Sequence, residues 1–282
     1  MGRIVLYALL YLLFVCNLTF AQPSADTTFK MGWTPKGSIG INLSQTAFDN
    51  WSQGGESSVA FSGIGNFGAY FRTKEWFLAN KMKIAYGRSK SSERYYTTDN
   101  ELRLENILIR NFGWKINPYF SNEVRTGLAN GFDYKVSPEQ QITAFFDPGY
   151  INQSLGFIFA RKHFNTRFGV GLQETFTNKF NSFSDDAKTM EVEKFKIESG
   201  VESVSEANYE FLKNMNYNGR LRLFSRFNSL DVWDVNWDNI ITAKINDYFN
   251  VNFNVNVIYQ IDQSLKTQIK EGLQLGFSYV IF

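Results

Sequence analysis

The residues whose types suggest catalysis or metal binding are few: one histidine, one cysteine and two loose groups of aspartates. His163 stands in a short basic run, Arg161-Lys162-His163, before Phe164 and Asn165. A general base needs a partner and a substrate within hydrogen-bond reach, and a histidine flanked by like charge in a turn reads instead as a solvated side chain. Cys16 has no second cysteine and no histidine at a ligand spacing, so a zinc site is not expected. Asp185-Asp186 and the series Asp231, Asp234, Asp238 carry the right atoms for calcium but lack the dense loop of ligands that calcium takes. No Gly-rich loop between strand and helix offers a phosphate cradle. No cofactor, no metal and no enzyme are therefore expected, and a hydrolase stays only as a minor alternative that would depend on His163. What remains is a set of charges at every second or fourth residue: Lys81 and Lys83, then Glu101, Arg103 and Glu105, Glu123 and Arg125, Arg167, Arg220 and Arg222, Asp234 and Asp238. Both signs are present and mixed, and apolar residues hold the positions between them.

A period of two is strand chemistry, with one face apolar and the other polar. Trp76, Leu78, Met82, Ile84 and Tyr86 oppose Lys81 and Lys83, and Leu102, Leu104 and Leu108 oppose Glu101, Arg103 and Glu105. The clearest alternation is Phe249, Val251, Phe253, Val255 and Val257 against Asn250, Asn252, Asn254 and Asn256. Strand signal starts at Gly37 and recurs in about twelve segments, each near the length of a membrane-crossing strand. Polar loops are expected at 88–100, 129–150 and 177–198. The connections near Lys74, Gly113, His163, Asn214 and Asn246 are short, and most of those between them are longer. Short turns at one end and long loops at the other are the habit of outer-membrane barrels. Trp76, Tyr86, Trp114, Tyr119, Tyr209, Tyr217 and Tyr248 fall at segment ends, where a barrel carries its interfacial aromatics. The fold expected is all-β: a transmembrane antiparallel up-and-down β-barrel of about twelve strands, occupying residues 37–282. A soluble periplasmic β-sandwich is the competing architecture. In the barrel the apolar parity faces lipid and the charged residues named above line the interior, since charge facing hydrocarbon is costly.

Residues 1–21 read as a signal peptide, with Arg3 as the positive region, an apolar run from Ile4 to Val15 and a small-residue cleavage site ending at Ala21. Cleavage there leaves a mature chain without cysteine. Residues 22–36 read as a periplasmic lead-in. The formal net charge of +2 gives no reason to expect a nucleic-acid partner.

The stretch from Gly272 to Phe282 alternates strictly and ends on an aromatic. Gln274, Gly276, Tyr279, Ile281 and Phe282 resemble the terminal signal read by the barrel-insertion machinery. Trp51-Ser52-Gln53-Gly54-Gly55, Tyr86-Gly87, Asp99-Asn100-Glu101-Leu102 and Phe112-Gly113-Trp114-Lys115 form an ordered series. It resembles a family of outer-membrane proteins of Bacteroidetes-type bacteria, catalogued as a domain of unknown function, most closely over residues 33–175. The resemblance implies a barrel in the outer membrane of a Gram-negative cell, among lipid and lipopolysaccharide, and brings no catalytic residues. The function expected is a narrow channel for small polar solutes. The alternative is a structural or partner-binding barrel with an occluded lumen, whose outer loops carry the interaction. The solute and any protein partner are not specified by the sequence.

Overall fold

Alternation with a period of two gives each segment one face it can turn to an apolar medium, and neighbouring segments pair to satisfy their backbones. The computed structural model describes residues 31–47, 57–91, 94–134, 136–186, 189–261 and 266–282. The expected signal peptide, the lead-in up to residue 30 and the Trp51-Gly54-Gly55 motif lie outside the described residues. In chain order the strands are β1 (Gly32–Thr46), β2 (Ser58–Arg72), β3 (Trp76–Ser91), β4 (Arg94–Arg110) and β5 (Ile116–Thr126), the small β6 (Gly131–Asp133) and β7 (Gln140–Thr143), then β8 (Gly149–Ala160) and β9 (Phe164–Phe176). They continue as β10 (Phe195–Leu212), β11 (Met215–Arg226), β12 (Asp234–Lys244), β13 (Phe249–Tyr259) and β14 (Gln268–Val280).

Twelve of these strands form one closed antiparallel barrel in chain order, with β5 paired to β8 and β14 paired back to β1. β6 and β7 make a separate two-stranded hairpin inside the β5–β8 connection. Closure leaves no free sheet edge over the paired span. The seam is fixed by Ser38–Leu43 opposite Leu275–Val280. The Gly37 N–H donates to the Phe282 carbonyl (3.0 Å) and the Ile281 N–H to the Gly37 carbonyl (2.8 Å).

One end of the barrel carries the short connections 73–75, 111–115, 161–163, 213–214 and 245–248, as expected. Their geometry follows from turn residues: Gly113 has φ +75° and Asn214 φ +66°, values that glycine and asparagine tolerate. Asn246 Oδ1 accepts the N–H groups of Tyr248 and Phe249, both at 2.8 Å, an Asx turn that reverses the chain without a longer loop.

The apolar parity faces outward. Ile41, Leu155 and Leu273 are 61%, 65% and 63% exposed, which excludes the β-sandwich, where those side chains would meet in a dry centre. Four boundaries differ from the sequence expectation. β1 opens at Gly32, not Gly37, because residues 32–37 lie beside β2 with β14 not yet alongside, an edge position that tolerates Pro35. The expected loop 88–100 is mostly strand, since β3 runs to Ser91 and β4 starts at Arg94. Arg88 and Lys90 lie over the Tyr95 ring there, at 4.9 and 5.5 Å, and cross-strand contacts of this kind extend the pairing. The loop 129–150 holds β6 and β7 and runs into β8, and β10 begins at Phe195 rather than after 198.

Nor is the inward parity uniformly polar. Ala79, Ile107, Tyr119 and Ile158 form an apolar cluster inside the barrel near the turn end, and Tyr119 bonds Ser154 Oγ at 3.1 Å. Tyr119 is therefore an interior residue and not an interfacial one. Phe224 is also interior, with 0% exposure. Its ring passes 3.5 Å from where a Cβ on Gly171 would stand.

Truncating Phe224 to Ala opens a cavity in the interior beside Gly171, and the expected loss is about 3–5 kcal/mol. Denaturant unfolding of the reconstituted barrel, followed by tryptophan fluorescence, measures it; a loss below about 1 kcal/mol contradicts the packing described.

Candidate functional site

Inward residues on strands that are not neighbours touch one another, and only the interior allows that. Lys81 on β3 reaches Glu206 on β10 at 3.0 Å and Glu105 on β4 at 3.3 Å. Arg220 on β11 reaches Glu123 on β5 at 2.6 Å, and Arg103 on β4 reaches Asp238 on β12 at 3.2 Å. Arg167 on β9 is paired with Glu105, and Arg220 approaches the same carboxylate at 3.4 Å. Lys83 and Arg103 share Glu101. Five cations and five carboxylates thus meet in two adjoining sets, Lys81, Arg167 and Arg220 with Glu105, Glu123 and Glu206, and Lys83 and Arg103 with Glu101 and Asp238, which together make a central network. A second group sits toward the loop end. Arg222 bonds Glu202 at 2.7 Å and Gln173 at 3.2 Å, and Arg226 joins Glu198 and Asp234. Arg125 is placed differently, with its guanidinium 4.9 Å over the Tyr150 ring.

The twelve charged residues singled out from the sequence are thus distributed as follows: Lys81, Lys83, Glu101, Arg103, Glu105, Glu123, Arg167, Arg220 and Asp238 belong to the central network, Arg222 and Asp234 to the second group, and Arg125 to the wall over Tyr150. The sequence reading missed the acidic row of β10. Glu198, Glu202 and Glu206 recur every fourth residue on one parity, which was the available signal. It was masked by the small residues opposite, Ser199, Ser203, Ser205 and Ala207, which blur the alternation.

The other side of the interior is built from short amides. Asn250, Asn252, Asn254 and Asn256 stand in a row along β13. Asn252 donates to Asn250 (2.7 Å) and to Asn42 of β1 (3.2 Å), Asn254 to Gln274 of β14 (3.3 Å) and Asn256 to Asp238 (2.6 Å). A Cβ on Gly276 would come within 2.3 Å of Asn250 Oδ1 and 2.8 Å of Asn42 Oδ1, so glycine at that position makes room for the amides. Beside this row lies a cavity of about 1010 Å³. Its lining runs from Thr98, Phe183 and Gln260 at the loop end to Ser38, Asn250 and Ser278 near the turn end, with Lys83, Arg103 and Asp238 on the far wall. At its mouth Lys270 of β14 reaches across to β4, with Nζ 2.6 Å from both the Thr98 carbonyl and Asp99 Oδ1. Asp147 holds two loops together at the same end, accepting the N–H groups of Asn178 and Lys179 at 2.9 and 2.8 Å.

The remaining sequence candidates lie elsewhere. His163 is exposed in the 161–163 turn, with Nδ1 3.1 Å from the Asn208 carbonyl. Among the described residues no group of three or more His, Cys, Asp or Glu side chains could hold a metal ion. Gln274, Gly276 and Tyr279 lie on β14, and Ile281 and Phe282 bond Gly37 at the closing seam.

The family model described as "Protein of unknown function (DUF3078)" matches residues 43–132. That match falls within the stretch of family resemblance noted in the sequence. No curated protein matches the chain. Among solved structures, an outer-membrane channel from Pseudomonas putida F1 is 11% identical, with TM-score 0.41, over 93% of this chain and 99% of that one. The translocator domain of the autotransporter NalP from Neisseria meningitidis is 8% identical, with TM-score 0.38, over 89% of each chain. The KdgM porin is 8% identical, with TM-score 0.29, over 86% of this chain and 98% of that one.

Glu105 faces three cations from inside the barrel, so its removal leaves buried positive charge uncompensated. Glu105→Ala is expected to cost about 3–5 kcal/mol in denaturant unfolding, whereas Glu75→Ala, which breaks the exposed pair with Arg110 at the turn end, costs less than about 1 kcal/mol. Equal losses for the two variants would contradict the network.

Proposed function

We propose that this protein is an outer-membrane β-barrel that passes small polar, uncharged solutes along the amide-lined side of its lumen. The membrane setting is supported by three features. The exposed outer face is apolar, the charges are turned inward, and every connection at one end is short. Trp76, Trp114, Tyr209, Tyr217 and Tyr248 stand near strand ends, where interfacial aromatics are expected, whereas Tyr86 lies within β3, which runs on to Ser91. On this reading residues 1–21 direct export and are removed after Ala21, and the terminal residues of β14 serve as the assembly signal for the insertion machinery.

The observation that carries the transport reading is the cavity, which follows the strands nearly from end to end beside the Asn250–Asn256 row. Primary amides offer a donor and an acceptor each, and a row repeating every two residues presents such pairs at about 7 Å intervals. A hydroxylated solute can exchange one set of hydrogen bonds for the next, so that binding is weak and repeated, as conduction requires. The facing wall contributes paired charges, whose opposite signs cancel, so the passage has no strong preference for cations or anions. Lys270 bridges the mouth from β14 to β4.

Reconstituted protein is expected to admit small neutral sugars in liposome-swelling assays and to show small conductance steps in planar bilayers. Lys270→Ala removes the bridge to β4 and is expected to raise swelling rates roughly threefold, within the range that one gating contact can supply. If the wild type and Lys270→Ala are both sealed to solutes and ions, the channel reading is wrong. The occluded barrel with interacting loops, which the packed cluster around Tyr119 would then suit, takes its place.

A further inference from the structure

The outward parity has one interruption that the transport reading does not use. Asn80 of β3 pairs with Asn106 of β4, Asn106 with Asn122 of β5, and Asn122 with Gln153 of β8. Four amides therefore stand side by side on four adjacent strands, spaced by about 4.8 Å. They face outward, because Glu105 and Glu123 beside them on their strands point into the central network. Leu104, Leu108, Phe120 and Leu155 surround the row and are exposed.

The outward asparagines within the strands are otherwise satisfied at home. Asn80 donates to the Ala69 carbonyl, Asn100 is bonded to Leu128 and Ala129, and Asn239 accepts the Tyr217 hydroxyl at 2.6 Å. Asn106, Asn122 and Gln153 make no side-chain hydrogen bond to any described residue. Asn122 is mid-strand in β5, which spans Ile116–Thr126, the length of a single membrane crossing. An amide at that depth facing acyl chains has no water to turn to.

Resting on the membrane setting proposed above, we infer that the β4-β5-β8 face is where two copies of this chain pair, amide row against amide row. An amide is donor and acceptor at once, so the row is complementary to itself about a twofold axis. The strands tilt, so a row perpendicular to them crosses the apolar belt obliquely. A twofold axis along the membrane normal makes two oblique rows cross instead of overlaying. Contact is then concentrated at the middle of the row, on Asn106 and Asn122, with Leu104 and Phe120 packing around it.

The test uses the full chain with Cys16→Ser and one reporter cysteine, either Val124→Cys beside the row or Val255→Cys on β13, in vesicles of phosphatidylcholine and phosphatidylglycerol. Flotation first checks insertion, and a short bis-maleimide then links neighbouring copies. The expected result is a linked dimer through Val124→Cys, roughly tenfold more abundant than through Val255→Cys. Asn106→Leu with Asn122→Leu abolishes the link while the barrel stays heat-modifiable on a gel, and Asn106→Gln with Asn122→Gln keeps it. A chain that floats but yields no dimer, or a dimer indifferent to the Leu pair, overturns the inference and leaves the membrane setting standing. A link in native outer membranes to a different protein in place of a second copy overturns it as well. A chain that does not float overturns both.

Discussion

The pairing of β1 with β14 is the constraint from which the other features follow. A sheet whose outer face is as apolar as this one cannot leave a row of backbone donors and acceptors open to the same medium. Closure removes that row and, by joining the first strand to the last, turns alternation along each strand into an inside and an outside. The seam is short, with the ladder confined to Ser38–Leu43 and Leu275–Val280, and it is extended by the bonds between Gly37 and the residues Ile281 and Phe282. The strict alternation of the last stretch therefore has a structural consequence independent of any signal it carries. A one-residue slip there would send Leu273, Leu275 and Phe277 inward.

Once the inside is defined, its charges have to balance. The central network sets five cations against five carboxylates, and its members come from strands far apart around the barrel. Paired buried charges are not strong stabilisers compared with apolar packing, but breaking one pair is expensive. The network therefore acts mainly as a condition on register: β3, β4, β5, β9, β10, β11 and β12 must all be in place before Glu105, Arg220 and Arg103 find their partners. Apolar packing supplies the complementary part near the turn end, where Ala79, Ile107, Tyr119 and Ile158 meet.

Much of this was legible in the residue order, because a period of two needs no knowledge of the fold. The parity of Lys81, Glu105 and Arg220 could be read, as could the short turns at Lys74, Gly113, His163, Asn214 and Asn246. Where both parities were alike the reading failed. Arg94 to Asp99 is polar on both faces, so the outer ends of β3 and β4 looked like a loop. Ile107 and Leu108, or Tyr119 and Phe120, are apolar on both faces, so Ile107 and Tyr119 could not be recognised as interior. Which carboxylate meets which cation was beyond reach, because that depends on how far the sheet shears before it closes.

The same dependence explains why the cavity lies to one side of the lumen. A barrel of twelve strands lies between those filled by their own side chains and those that leave a channel, so side-chain length decides locally. The arc from β3 to β11 sends arginine, lysine and glutamate inward, whose long chains reach strands on the opposite side. Apart from Lys270 at the mouth, the arc of β13, β14 and β1 sends inward mainly asparagine, glutamine, serine and glycine, which bond mostly to nearby strands and stop short of the centre. The space therefore collects against the second arc. A passage bounded by paired charge on one wall and primary amides on the other follows from the distribution of long and short polar residues around the ring.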